Sequence, residues 1–187
     1  MRGVVMMIPI LWNIPFQFSV NEYREPFIVF PIPLPNQTVF MSHNLNKKQD
    51  CYMVITDTAK FIDIWRLSTN DDRFPNYHVG NRELWRADYK FGDAERGFSL
   101  GRENPVPIAT NISYGFYNHR REIIFNNDFT RTIWLLANEA KYFPVVIANL
   151  EAAKAFQKDM GFGNNPIQLV SNIKSYAQKV HSLDTPS

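Results

Sequence analysis

The sequence has little cysteine and little histidine, and both scarcities restrict its chemistry. Cys51 is the one cysteine among 187 residues, so an intramolecular disulfide is excluded. This favours a reducing compartment, and we expect a cytoplasmic protein. Cys51 opens an apolar run, which predicts a small buried side chain. The four histidines show no metal-ligand spacing with it, so no zinc site is predicted.

Long hydrophobic runs are also missing. The apolar stretch at residues 1–12 is interrupted by Pro9 and followed by Pro15, and no small-residue cleavage site follows it. It is far too short to span a bilayer. We interpret it as an N-terminal strand or arm, and we predict no transmembrane segment.

An excess of one charge is absent as well. The formal charge is +2, and residues 82–131 contain eight basic and seven acidic side chains. This balance is too even to predict nucleic-acid binding from charge. The sequence also has no Walker A motif and no G-x-S-x-G elbow, so neither of these motif classes is indicated.

The chain does contain the patterns of one α/β (α+β) domain of ordinary size. Residues 83–103 mix aromatics, charges and three glycines, and their pattern assigns no element. The strand–turn–helix–strand order of the C-terminal half predicts at least one βαβ crossover. Strands are predicted near residues 27–30, 51–56, 104–110, 112–117, 122–125 and 144–147. Helices are predicted near 58–66, 129–140 and 166–181, and another, capped by Asn149, runs to Met160.

The turn at residues 126–131 is the strongest candidate site. An apolar strand ends at Phe125, a helix begins at once, and Asn126, Asn127 and Asp128 lie between them. The first N–H groups of such a helix and its dipole form an anion site. Arg131 in the first turn opposes the dipole unless an anion is shared there. The alternative is that Asp128 only caps the helix and that Arg131 is a solvated surface residue.

This element resembles the phosphate-binding element of the ParB/sulfiredoxin superfamily. In that superfamily a G-x-x-R turn holds nucleotide phosphates, and the arginine precedes the proline of the next strand by about thirteen residues, as Arg131 precedes Pro144 here. Residues 97–109, with 85–91 before them, look like the plasmid fertility-inhibition proteins of the Osa/FiwA type. The resemblance covers roughly residues 60–160, and we expect this core to be flanked by Pro- and aromatic-rich strands or an arm at 1–50 within a single domain, 1–187.

The resemblance implies a mixed sheet with flanking helices, and a plasmid-encoded protein that blocks conjugative transfer. It also implies ATP hydrolysis and DNA cleavage. By position, Arg131 is the residue expected to hold phosphate. Two departures affect that expectation, because Asp128 replaces the glycine and Thr130 replaces a frequent histidine or arginine. A carboxylate repels phosphate unless a metal such as Mg²⁺ bridges them, so Asp128 is a candidate metal ligand or general base.

Other polar residues are weaker candidates for the same chemistry. Glu122 is either a second metal ligand and catalytic residue beside Asp128 or a side chain that alternates outward along its strand. A run of basic residues before it is either a DNA-phosphate contact or a solvated hairpin tip. The candidates for nucleotide or DNA phosphate are Asn126, Asn127, Thr130, His119, Arg120, Arg121, Arg102 and Asn104.

Three functional hypotheses follow. The first is an ATP- and Mg²⁺-dependent DNase that degrades the transferred single strand or relaxase-bound DNA. The second is a docking protein that blocks the type IV secretion coupling ATPase without chemistry, with residues 9–35 as an exposed docking face. The third, a non-catalytic DNA-binding relative, is disfavoured because no helix-turn-helix is evident.

Overall fold

The computed structural model describes residues 12–21, 25–46, 51–68, 76–110, 112–117, 119–125 and 128–183. The fold is mixed α/β in a single domain, as predicted. Nine strands are found in these ranges: β1 Gln17–Val20, β2 Pro26–Pro33, β3 Thr38–Asn44, β4 Tyr52–Asp57, β5 Val106–Pro107, β6 Ile112–Tyr117, β7 Arg120–Phe125, β8 Tyr142–Ile147 and β9 Gln168–Leu169.

Six α-helices accompany them over the same parts of the chain. Two of these helices come from residues 83–103, for which the sequence pattern assigned no element. The last helix begins at Val170, later than the predicted 166, because β9 precedes it and pairs with β4. The helices are α1 Thr58–Trp65, α2 Arg82–Arg86, α3 Phe91–Ser99, α4 Phe129–Ala137, α5 Leu150–Met160 and α6 Val170–Leu183.

The segment at residues 105–110 joins two groups of strands into one layer. On one side β5 pairs in parallel with β3, which continues the antiparallel order β1-β2-β3. On the other side Ala109 forms a parallel bridge with Val145 of β8, and the Val146 amide donates to the Ala109 carbonyl at 2.9 Å. The antiparallel group β8-β4-β9 therefore continues the sheet, and 105–110 lies near its centre.

The predicted βαβ crossover is present, but its first strand is not β7, the strand that directly precedes α4. Strand β7 pairs with β6 as a hairpin, and the described pairings give it no place beside β8. The parallel partners are instead the end of the β5 segment at Ala109 and β8 at Val145. The crossover thus includes both the hairpin and α4, which brings the start of α4 close to residues 105–110.

The core lies between this sheet and its helices, and aromatic side chains dominate it. Phe61 of α1 is fully buried, and its ring lies within 6.3 Å (centroid to centroid) of Phe125, Phe143 and Phe156. Phe98 of α3 stacks on a tryptophan of α4 at 4.2 Å. No helix in the described parts of the chain is both long and apolar enough to cross a membrane.

The expected docking face at residues 9–35 is wrong for the residues that the structure describes, which begin at Trp12. Ile28, Phe30 and Ile32 alternate along β2 and therefore share one face of the sheet, where they are fully buried in the core. Trp12 is also buried and its ring contacts Phe30 at 5.3 Å. The Pro- and aromatic-rich composition of this region therefore serves the core.

Candidate functional site

Asp128 precedes α4 in a left-handed conformation, with φ 64° and ψ 15°. Such a conformation is uncommon outside glycine, although aspartate tolerates it better than most residues. The side chain makes no cap hydrogen bond to α4. Its Oδ2 instead accepts from the Thr110 amide at 3.0 Å and from the Thr110 hydroxyl at 3.4 Å. The backbone thus turns the carboxylate away from the helix that it would otherwise cap.

Arg131 is held on two sides. Its Nη2 lies 3.2 Å from Asp128 Oδ1, and its Nη1 donates to the Pro107 carbonyl at 2.8 Å. The side chains of Arg131 and Asp128 are 27% and 8% exposed, so this pair is far less solvated than an ordinary surface pair. The negative charge of Asp128 offsets the unfavourable placement of a cation at a helix start. The remaining N–H groups of a guanidinium form a fixed fork that suits phosphate.

An open cleft of about 480 Å³ lies in front of this pair. One wall is the start of α4 at residues 128–131, a second is the β5 segment at 104–107, and the third is α3 with the turn before it. Small or apolar residues such as Gly97 and Leu100 form part of the third wall. Its volume lies within the range of small-molecule sites.

Charges of both signs face the cleft. Arg131 and Lys90 are the basic lining residues, and Asp88, Asp93 and Asp128 are the acidic ones. The excess of carboxylates disfavours a bare phosphate and favours a phosphate that carries a cation.

Two of these carboxylates have partners on the α3 side. Asp88 accepts from the Tyr77 hydroxyl at 3.2 Å and from the Lys90 amide at 2.9 Å. Burial, and then the nearby Asp88 carboxylate, raises the pKa of Tyr77 above its ordinary value. Asp93 forms an ion pair with Arg96 and remains largely exposed.

The described residues contain no group of three or more His, Cys, Asp or Glu side chains that could hold a metal. Magnesium needs only one or two carboxylates when substrate phosphates and waters supply the other oxygens. Both oxygens of Asp128 already contact Thr110 or Arg131, so Asp128 fits the role of orienting Arg131 better than that of a metal ligand. Both oxygens of Asp88 are likewise hydrogen-bonded, to Tyr77 and Lys90. Asp93 on the facing wall, largely exposed beside Arg96, fits an Mg²⁺–phosphate ligand better.

The structure brings part of the predicted residue set together. Asp128, Thr130, Arg131 and Asn104 all line the cleft. Asn126 and Asn127 lie outside the described residues. The sequence pattern did not indicate Thr110, Lys90, Asp88 or Asp93, because only the tertiary fold brings these residues to the start of α4.

Other predicted residues lie elsewhere. Arg102 is exposed, does not line the cleft, and donates to Gln17 Oε1 at 2.6 Å. Glu122 does not line the cleft either, and at 5% exposure it is buried, so its expected outward alternation is wrong. The predicted basic residues lie at the turn end of the β6–β7 hairpin, at the opposite end of β7 from Asp128: His119, Arg120 and Arg121.

Comparisons with known proteins agree with this architecture. The chain is 25% identical over 164 residues to "Protein osa" of Shigella flexneri, which covers 88% of this chain and 82% of that protein. A crystal structure titled Oncogenic Suppression Activity Protein, a plasmid fertility inhibition factor, superposes with a TM-score of 0.73 at 24% identity. That match covers 89% of this chain and 84% of the other, and it supports the fold.

The sequence model of the family described as "Plasmid Fertility inhibition factor" matches residues 53–161. This range runs from β4 to the end of α5 and is more than half of the chain. It includes the cleft with Asp128 and Arg131, so the family match and the candidate site coincide. The chain therefore belongs to the plasmid fertility inhibition factor family.

Proposed function

We propose that this protein inhibits conjugative transfer in the cytoplasm by hydrolysing phosphodiester bonds of the transferred DNA in the cleft at the start of α4, with ATP as a second phosphate ligand. The observation that carries this proposal is the Asp128–Arg131 pair. Asp128 is not used as a helix cap, and Arg131 is fixed at the wall of an open cleft. A purely structural cap or a solvated arginine does not require that arrangement.

Arg131 is the residue that binds phosphate in this proposal. The Pro107 carbonyl and the Asp128 carboxylate fix its guanidinium before any ligand arrives, so little side-chain entropy is lost on binding. Thr130 contributes a hydroxyl at the same wall, and Lys90 faces it from the α3 side. These groups can hold a phosphate between two walls of the cleft.

The reaction is the attack of water on phosphorus. A bond forms from the water oxygen to phosphorus and the bond to the leaving ester oxygen breaks. The attacking water releases a proton to solvent, and the leaving oxygen takes up a proton. Arg131 stabilises the charge that grows on the non-bridging oxygens. Asp128 keeps Arg131 in place and does not contact the phosphate. Asp93 would help to hold a phosphate-bound Mg²⁺, which would supply charge neutralisation and water activation.

Cleavage of labelled single-stranded and duplex DNA by the purified protein, with and without Mg²⁺ and ATP, tests the proposal. Arg131→Ala is expected to lower the cleavage rate by about 10²- to 10³-fold, the usual cost of removing one preorganised charge-stabilising donor. Arg66→Ala is the matched control, because Arg66 forms the same i,i+3 pair with Asp63 on the exposed surface of α1. Circular dichroism confirms that each variant is folded.

Cleavage that Arg131→Ala loses and Arg66→Ala retains supports the proposal. Equal cleavage by both variants places the activity elsewhere or in a contaminant. No cleavage by the parent protein under any condition contradicts the enzymatic proposal and leaves the docking alternative.

That alternative is a docking protein that blocks the coupling ATPase of the transfer machinery, and one observation favours it. Tyr89 and Leu100 line the cleft while 86% and 56% exposed, which is unusual for large apolar side chains. In this alternative Tyr89→Ala weakens binding to the purified coupling ATPase, measured by biolayer interferometry, and Arg131→Ala leaves inhibition of transfer intact.

A further inference from the structure

The turn end of the β6–β7 hairpin carries exposed aromatic rings beside cations. We call Phe116, Tyr117, His119, Arg120 and Arg121 the hairpin tip. Phe116 and Tyr117 are 71% and 43% exposed, two of the few large hydrophobic side chains of the described residues that face solvent. Exposed aromatics at a strand end gain nothing from burial, so the fold alone does not account for them.

Each face of the hairpin tip pairs one ring with one arginine. Phe116 lies opposite Arg121 across the two strands, and Tyr117 lies opposite Arg120. Adjacent residues of a strand point to opposite faces, so the two pairs occupy the two sides of the ribbon. The Arg121 guanidinium lies 5.3 Å from the Phe116 ring centroid, within cation–π distance.

Contacts with α5 fix the base of the hairpin and leave the tip projecting. Tyr114, two residues before Phe116, is buried and donates its hydroxyl to Asp159 at 2.6 Å. Asp159 also forms an ion pair with Arg121, which holds that guanidinium beside the ring. Arg120 is exposed, so the tip presents a positive charge with the two rings.

We propose that the hairpin tip binds single-stranded nucleic acid, with one unpaired base stacked on Phe116 on one face of the ribbon, another on Tyr117 on the other face, and an adjacent phosphate bound by the exposed Arg120. A single strand combines the two chemical features that the tip complements, flat aromatic faces and a row of negative charges. A duplex offers only the phosphates, because its bases are already stacked. The tip is a separate surface from the cleft, since the length of β7 lies between them.

Fluorescence anisotropy with labelled oligo(dT) and oligo(U) of about 20 nucleotides, and with a blunt duplex of the same length, tests the tip directly. Adding EDTA and omitting ATP keeps the measurement independent of the proposed hydrolysis. Phe116→Leu with Tyr117→Leu is expected to weaken single-strand binding on the order of tenfold or more and to leave duplex binding unchanged. Comparison of oligo(dT) with oligo(U) shows whether the strand is DNA or RNA.

Four further variants sharpen the test. Phe116→Trp with Tyr117→Trp retains two stacking faces and is expected to restore affinity. Arg120→Gln is expected to weaken the binding of both single-stranded and duplex nucleic acid. It is also expected to lower the slope of log affinity against log salt by about one. Lys154→Gln and Leu67→Ala are the controls, a charge and an apolar side chain exposed elsewhere.

Unchanged binding by the leucine variant overturns the proposal. An equal loss for single strand and duplex also overturns it, since that result indicates charge or folding alone. So does the absence of single-strand binding by the parent protein. Failure of the cleft proposal, seen as cleavage unaffected by Arg131→Ala, leaves this binding result untouched.

Discussion

Asp57 and Asp128 each precede a helix of this fold, but their side chains have different partners. Asp57 stabilises its helix, whereas Asp128 belongs to the candidate site. Asp57 ends β4 with φ −78°, and its carboxylate accepts from the Ala59 and Lys60 amides of α1. Asp128 precedes α4 with φ 64°, and its carboxylate contacts Thr110 and Arg131 instead. The same residue type at the same position thus caps one helix and fixes an arginine at the other. An aspartate before a helix is therefore interpretable only once its partners are known.

Phe61→Ala is expected to have the largest effect on stability, because it weakens the packing at the start of α1 and also near the start of α4. Phe61 belongs to α1 and contacts Phe125, which ends the strand before Asp128. Truncating a fully buried phenylalanine costs about 3–5 kcal/mol of unfolding free energy. Urea unfolding followed by circular dichroism measures this loss. A loss below about 1 kcal/mol would show that the starts of α1 and α4 do not pack against the same buried core.

Asp128→Ala is expected to affect activity more than stability. Arg131 keeps the Pro107 carbonyl but loses its ionic partner, so its position becomes less defined. Misplacement of this kind lowers rates by about 10²-fold. Single-turnover cleavage assays measure the rate. Wild-type cleavage by this variant would show that Asp128 does not position Arg131 for the reaction.

Asp57→Ala is expected to show the opposite pattern. Loss of the two cap hydrogen bonds costs about 1 kcal/mol of unfolding free energy, while cleavage per folded molecule stays at the wild-type rate. Thermal unfolding and the same cleavage assay report both values. A rate loss equal to that of Asp128→Ala would remove the distinction between the two aspartates.

Tyr77→Phe is expected to give the smallest change in stability. It tests only the helix that follows Asp128, because Tyr77 packs against α4. The Tyr77 ring contacts Phe129 at 5.1 Å, and its pKa is raised by burial and by Asp88. A raised pKa in the folded state contributes stability that is present below the unfolded value of about 10 and is lost as pH rises through the folded value. The variant is therefore expected to lose less stability than the parent above about pH 10. Thermal unfolding across that pH range measures the difference, and parallel curves would contradict it.

The sequence predicted the elements whose patterns are local. The hairpin strands, α4, α5 and the Asn149 cap of α5 all follow from periodicity and capping residues, and the Asn149 side chain does accept from the Ala152 amide. Helices α2 and α3 were not predicted because glycines and charges obscure a short amphipathic pattern. The partners of Asp128 could not be predicted, since Thr110 is 18 residues away and approaches only through the sheet.

The candidate site followed the same division. The local turn pattern indicated Asp128 and Arg131, the family resemblance added Thr130, and these residues do share a cleft. The facing wall, with Lys90, depends on how α3 packs against α4, which no single segment encodes. Side-chain exposure also depends on the tertiary fold. Glu122 and the N-terminal aromatics were therefore expected at the surface, although the described ones are buried or half-buried.

The position of residues 105–110 determines how this cleft can move. The segment carries the Pro107 carbonyl and Thr110, and it is hydrogen-bonded on one side to Ser42 and on the other to Val146. Moving this segment would break hydrogen bonds in the middle of the sheet, so the local opening free energy of this wall approaches that of global unfolding. The Val146 amide should accordingly be among the last to exchange with deuterium. The cleft is open, so a ligand can enter it directly, and the wall at 104–107 keeps its position when it does.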